Sequence, residues 1–185
     1  QDGWWFKMAL ELNGTTGVSL VQDGVVTAAD LSSTLDLSGK TVSGISGTIL
    51  QITSTIYSTY EQTTSSSYSD TGLSLSITPS STSSKILVLA DIQVMAYQNA
   101  GSSAEGYGRL YNSTRSVDHI ENYLQIHDYG SSGSISDRST PYNWLDSPNS
   151  TATQTYVYQH RISSGTGFRI NNGGASQMIA MEIAG

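Results

Sequence analysis

Cysteine is absent from these 185 residues, and with it go disulfide bridges, thiolate nucleophiles and cysteine-based zinc sites. An extracellular life would therefore depend on packing or on association between subunits. Charge is almost as scarce: Asp, Glu, Lys and Arg supply 12% of the chain, with a formal net charge of −7. All three lysines lie at or before Lys85 and all five arginines at or after Arg109. Such a surface repels a phosphate backbone, which argues against nucleic acid as a partner. No apolar run reaches the roughly 18 residues of a membrane helix, so membrane insertion is not expected. Nor does the start carry the charged, apolar and small-residue succession of a secretory signal, and a soluble chain with no obvious export route is expected.

What the chain has instead is hydroxyl: Ser and Thr account for 52 residues and Gly for another 18. That composition disfavours helix interiors and suits turns, edges and hydroxyl-lined strands. Disorder is the competing reading. It loses because the apolar residues are grouped and alternate where strands need them. A chain of this length buries roughly 70% of its unfolded surface, enough for one β-domain of ordinary size plus an extra segment.

QDGWWFK precedes Met8, and MALELNGTTG reads as a natural beginning, so residues 1–7 are set aside as upstream or added sequence. Trp4, Trp5 and Phe6 stay out of the core argument; the alternative is an aromatic anchor that docks to a partner. Residues 8–55 break into VSLVQDGVV, LDLSGKTVS and ISGTILQIT, parted by turn signals, and the capping-box spacing from Thr27 to Asp30 opens a short helix to about Thr34. Strands this thin make no independent core. An intertwined or side-by-side homo-oligomeric stalk, trimeric, is expected; the alternative is that they pack onto the domain that follows.

The head, residues 56–185, opens on hydroxyl residues alternating with Tyr57, Tyr60 and Tyr68 around the boundary. From Thr71 the period is a clean 2: Leu73, Leu75 and Ile77 on one face, Ser74 and Ser76 on the other. Pro79 ends that strand and Ser80 to Ser84 turns it. Ile86, Val88, Ala90, Ile92, Val94 and Ala96 then share a face, while Leu87 and Leu89 make the opposite face apolar too before Asp91 and Gln93. That second face needs a cover from a loop, the stalk or a neighbouring subunit. Tyr97 to Gly108 reads as an exposed loop, residues 128–143 as the longest polar loop, and Val117 to Ile126 fits strand or helix, with strand favoured by context. Gln154 to Ile162, Gly167 to Ile170 and Gln177 to Ile183 complete seven or eight strands. The fold class is all-β: an antiparallel sandwich of Greek-key or jelly-roll type behind a β stalk with a short helix.

Asp118, His119, Glu121, His127 and Asp128 are the densest group of potential ligands, but their spacing matches no zinc or EF-hand pattern, and neither metal nor cofactor is expected. No G-x-S-x-G elbow places a nucleophile, and Asp137 with Asp146 pair as carboxylates only because they flank a loop, so no catalytic residue and no enzymatic activity is expected. Tyr is the abundant aromatic, eleven residues against two Phe. Tyr107, Tyr129, Tyr142 and Trp144 are the candidates for receptor binding, since a phenol ring suits partly wet surfaces and sugar rings. Tyr156 and Tyr158 read as core or subunit contact. Leu87, Leu89, Tyr156, Tyr158 and Glu182 are the candidate oligomer contacts, with Arg161 or Arg169 as a partner for Glu182. Asn13, Asn112 and Asn149 head formal glycosylation sequons that chance explains in a chain so rich in Ser and Thr.

DTGLSLSITPSSTSSKILV, GRLYNST, WLDSPNSTATQTYVYQ and the terminal MIAMEI resemble the C-terminal domain of short fibre-like virion proteins of tailed bacteriophages, marine and cyanobacterial ones especially. MALELNGTTGVSLVQDGVV and LDLSGKTVSG resemble the attachment and shaft segments ahead of such domains. The resemblance spans nearly the whole chain from Met8, and it implies a trimeric fibre, spike or capsid knob at the virion surface, without enzymatic activity. It also implies a jelly-roll head similar in plan to tumour-necrosis-factor-like trimers. The expected function is host-surface glycan attachment through loops around Asn99 to Gly106 and Asp128 to Asn143, with other virion proteins bound by the N-terminal part. The alternatives are capsid decoration without receptor binding and a polysaccharide-degrading spike.

Overall fold

The computed structural model describes residues 47–98, 103–119, 122–127 and 134–185. Contacts divide the chain between Ser43 and Gly44, and every described residue belongs to the second unit. Residues 8–46 of the expected stalk, with the helix after Thr27, and the segment before Met8 lie outside the described residues, as does Tyr129.

The strands are β1 (Ile49–Tyr57), β2 (Glu61–Thr63), β3 (Ser69–Ile77), β4 (Lys85–Gln98), β5 (Ser103–Asn112), β6 (Val117–Asp118), β7 (Asn122–His127), β8 (Ser134–Asp146), β9 (Gln154–Ser164), β10 (Gly167–Ile170) and β11 (Ser176–Ile183). Every pairing between them is antiparallel. One sheet runs β1-β11-β4-β8, with β10 and β2 continuing it beside the far half of β4; the other runs β3-β9-β5, with β7 and β6 on the open edge of β5. Consecutive long strands thus alternate between sheets in the order of a jelly roll, two Greek keys folded face to face. The expected antiparallel sandwich of that type is what the chain forms.

Alternation builds the core. On β3 Leu73, Leu75 and Ile77 are buried between exposed serines, and on β4 Ile86, Val88, Ala90, Ile92, Val94 and Ala96 are buried against them. Each fully buried Leu or Ile contributes about 1.5–3 kcal/mol relative to exposure. Ile77 ends β3 two residues before Pro79, and Ser81 caps the turn by accepting from the Ser84 backbone N–H at 3.2 Å. Tyr156, Tyr158 and Phe168 fill the middle of the sandwich.

Three expectations change. The ILQIT piece assigned to the stalk is an edge strand of the sandwich, because Gln51 to Tyr57 pair in register with β11, and the boundary at about residue 55 falls inside β1. Tyr97 to Gly108 is not one exposed loop: β4 runs on to Gln98 and β5 begins at Ser103. The alternation of β5 is hidden because its inward positions are Ala104, Gly106 and Gly108, ahead of Leu110. A Cβ at Gly106 would collide with the Phe168 ring, and one at Gly108 with the Tyr158 hydroxyl, so bare backbone is what lets these rings lie across the strand. Likewise the second half of the long polar loop is β8, an edge strand that carries Pro141 where no ladder donor is required. Val117 to Ile126 resolves into the strands β6 and β7.

Candidate functional site

The outer face of the β3-β9-β5 sheet carries a continuous row of rings and guanidinium groups. Since successive side chains on a strand point to opposite faces, the inward small residues of β5 leave Glu105, Tyr107, Arg109 and Tyr111 facing out. Register sets Arg161 of β9 opposite Tyr107, and Gln159 opposite Arg109. Tyr68, just ahead of β3, fills the space between the two arginines. The Arg161 guanidinium lies 4.0 Å from the Tyr107 ring centroid and 5.2 Å from that of Tyr68; Arg109 lies 4.0 Å from Tyr68 and 5.2 Å from Tyr111. The order is Tyr107, Arg161, Tyr68, Arg109, Tyr111.

Polar neighbours fix the row. Arg109 donates from Nε to Gln159 at 2.8 Å and from a terminal nitrogen to Asp118 at 2.7 Å, and Gln159 donates to Asp70 at 2.6 Å. The Ser163 hydroxyl donates to Glu105 at 2.5 Å at the other end. Each cation–π contact contributes about 0.5–1 kcal/mol at an exposed site, and four in series hold rings that would otherwise turn freely. The face therefore presents apolar ring surface bordered by donors and acceptors.

Of the three described receptor candidates, Tyr107 belongs to this row. Tyr142 and Trp144 are buried, a correction that follows from β8 being a strand: Tyr142, Trp144 and Asp146 alternate onto its inner face. The Tyr142 hydroxyl lies 3.3 Å from that of Tyr158, and Trp144 meets the Tyr156 ring edge-on while His119 stacks over it at 5.4 Å. Sequence reasoning missed the roles of Tyr68, Arg109 and Arg161. The period-2 spacing of Tyr107, Arg109 and Tyr111 was a usable signal; the register with Arg161 was not available locally.

The oligomer candidates also divide. Leu87 and Leu89 face outward on β4, half-buried. Tyr156, Tyr158 and Glu182 are instead enclosed by their own sandwich, so they are not subunit contacts. Burial raises the Tyr158 phenol well above its ordinary range, with the Tyr142 hydroxyl adding to the effect. Glu182 pairs with neither Arg161 nor Arg169. Its carboxylate accepts from the Ser80 backbone N–H at 2.7 Å, the Ser80 hydroxyl at 2.6 Å and the Gln51 amide at 2.5 Å. Burial pushes this acid up, but the hydrogen bonds outweigh it and hold Glu182 below its ordinary value.

Other described titratable groups make contacts within the fold. Asp146, one of the paired carboxylates considered for catalysis, accepts from Arg115, from the Tyr156 hydroxyl at 2.7 Å and from Asn112 at 3.3 Å. Asn112 is fully buried in this knot, out of reach of glycosylation in the folded state. Asp118 is the ion-pair partner of Arg109, and His119 stacks on Trp144; Glu121 and Asp128 of the same acidic group lie outside the described residues. Among the described residues no three of His, Asp and Glu gather as a metal group. His160 is buried beside Phe168, and burial lowers its imidazole from 6.5 to about 4 despite the opposing pull of Glu61.

No protein-family model matches the chain, and no curated protein matches it. Solved structures that match the chain include several from infectious bursal disease virus. The structure of its Gx strain is 12% identical, with a TM-score of 0.39 over 84% of this chain and 37% of that one. The crystal structure of its VP2 subviral particle is 11% identical, with a TM-score of 0.37 over 74% of this chain and 34% of that one. The structure of its derived T=1 particles is 14% identical, with a TM-score of 0.34 over 85% and 37%. The chain thus spans between 34% and 37% of the length of these proteins. At scores this low, none of the likenesses bears on what the chain binds or assembles with.

Proposed function

We propose that this chain is a structural protein of a virion, a homotrimeric fibre or spike whose sandwich head attaches to glycans on a host surface by binding, without catalysis. The jelly-roll topology supports this, being shared by viral capsid and lectin domains, and so does the resemblance of the sequence to short phage fibre proteins. The observation that carries the attachment role is the row Tyr107, Arg161, Tyr68, Arg109, Tyr111: an ordered aromatic and guanidinium surface on an otherwise hydroxyl-rich face. Three heads on one particle site turn weak single-site contacts into durable attachment.

The test is a glycan array and whole-cell binding with the full chain, followed by Tyr107→Ala and Tyr68→Ala. Each substitution is expected to weaken binding roughly tenfold, in line with the loss of about 1–2 kcal/mol of stacking and cation–π contact. Absence of binding across permissive hosts would defeat the reading. Capsid decoration is the second reading, favoured by the apolar outer face of the other sheet, which suits docking on a shell. Imaging the particle to place the protein on shell or tail separates the two.

A further inference from the structure

The outer face of the β8-β4-β11-β1 sheet is apolar where an isolated sandwich presents polar side chains. Register lines up Ile52, Met181, Leu87 and Leu145 in one row across all four strands, and Ser54, Ile179, Leu89 and Asn143 in the next. Ile183 beside Ile49 extends the patch at one end and Ile56 at the other. Ile52 is 61% exposed, Ile56 73% and Leu145 53%. Among the described residues the opposite outer face of the sandwich, with its tyrosines, arginines and carboxylates, has no such stripe.

We infer that this face is where copies of the chain meet, an inference that rests on the multi-copy reading above and assigns it a surface. Two observations identify the occupant as a second copy. Four strands about 4.8 Å apart and four rows about 6.7 Å apart cover about 500 Å² in projection. Those rows also carry Lys85, Ser54, Asn143, Gln177 and Asp91, so the apolar part alone is smaller than the ~800 Å² per partner of a standard interface and of the size at which monomer patches are often functional. The charges are self-complementary as well. Lys85 stands beyond Leu87 and Asp91 beyond Leu89, so β4 presents a cation at one end of the patch and an anion at the other, about 20 Å apart. Identical faces that cross antiparallel, or that follow one another head to tail around a closed ring, bring Lys85 of one copy toward Asp91 of the next. The edge strand agrees: β1 contains neither charge nor proline, the usual guards of an edge that stays unpaired.

The test measures the mass of the full chain by sedimentation and native mass spectrometry, for the unaltered protein and for Leu87→Lys and Leu145→Lys. Leu145→Lys changes an exposed side chain and leaves the fold intact, which covers the case in which Leu87→Lys unfolds. A discrete multimer that each variant loosens by at least 100-fold supports the inference. A monomer at tens of micromolar, as expected if a shell protein or the chain's own leading segment covers the face, overturns it, and so does a multimer indifferent to both variants. Tyr107→Ala separates the two proposals. Glycan binding lost in Tyr107→Ala with the mass unchanged supports both, whereas a variant-sensitive multimer that binds no glycan keeps the interface and removes the attachment role.

Discussion

At the scale of single residues, two buried groups make testable demands on their surroundings. Gly108 gives the Tyr158 hydroxyl its place, so Gly108→Ala is expected to cost about 1–3 kcal/mol, read from the urea midpoint, and pairing it with Tyr158→Phe should recover part of the loss. Independent, additive costs in the double variant would contradict the close approach. His160 is neutral when folded, with Nδ1 lacking a hydrogen-bond partner among the described residues. Its folded value lies below its unfolded one, so the unfolded chain takes up the proton first. The contribution of His160 is complete above about pH 6.5 and drains away as the pH falls toward about 4, a change on the order of 3 kcal/mol. Urea titrations across that window should show the decline in the native chain and a flatter profile in His160→Gln. Neither residue was legible from the sequence, where a glycine in a Gly- and Ser-rich stretch reads as loop and a histidine without distinctive neighbours reads as nothing.

Among the elements, β11 links its own sheet to the turn that follows β3 of the other. It pairs β1 on one side and β4 on the other, and its Glu182 reaches Gln51 on β1 and the Ser80 turn that follows β3. Glu182→Ala strips the acceptor from three donors on the exposed residues Ser80 and Gln51 and is expected to lower stability by roughly 1–2 kcal/mol, more than Glu182→Gln, whose amide oxygen still accepts. Because this acid is held below its ordinary 4.5, its contribution is present above that pH and is lost as the pH falls through the folded value. It therefore fails at a lower pH than the His160 contribution. Equal stability of the alanine and glutamine variants would argue against the hydrogen-bonded role. The strands that sequence located well, β3, β4 and β9 to β11, bury large side chains at every second position. β5 and β8 escaped it because one fills its inner positions with Ala and Gly and the other is a polar edge strand with a proline.

For the molecule as a whole, the two outer faces of one sandwich have different characters, and the expected behaviour divides accordingly. Variants on the Tyr and Arg row should change binding with the mass constant, and variants on the Ile, Met and Leu stripe should change the mass. By itself the sequence determined the all-β class, the antiparallel sandwich, the inner faces of the main strands and the doubly apolar first half of β4. Those follow from side-chain alternation, which is local and survives in one dimension. Only the tertiary structure decided that Tyr142 and Trp144 turn inward, that Glu182 is satisfied within its own chain, and that Tyr107 lies against Arg161. Such facts depend on register between strands far apart in sequence, and a one-residue slip in that register moves every side chain to the other face.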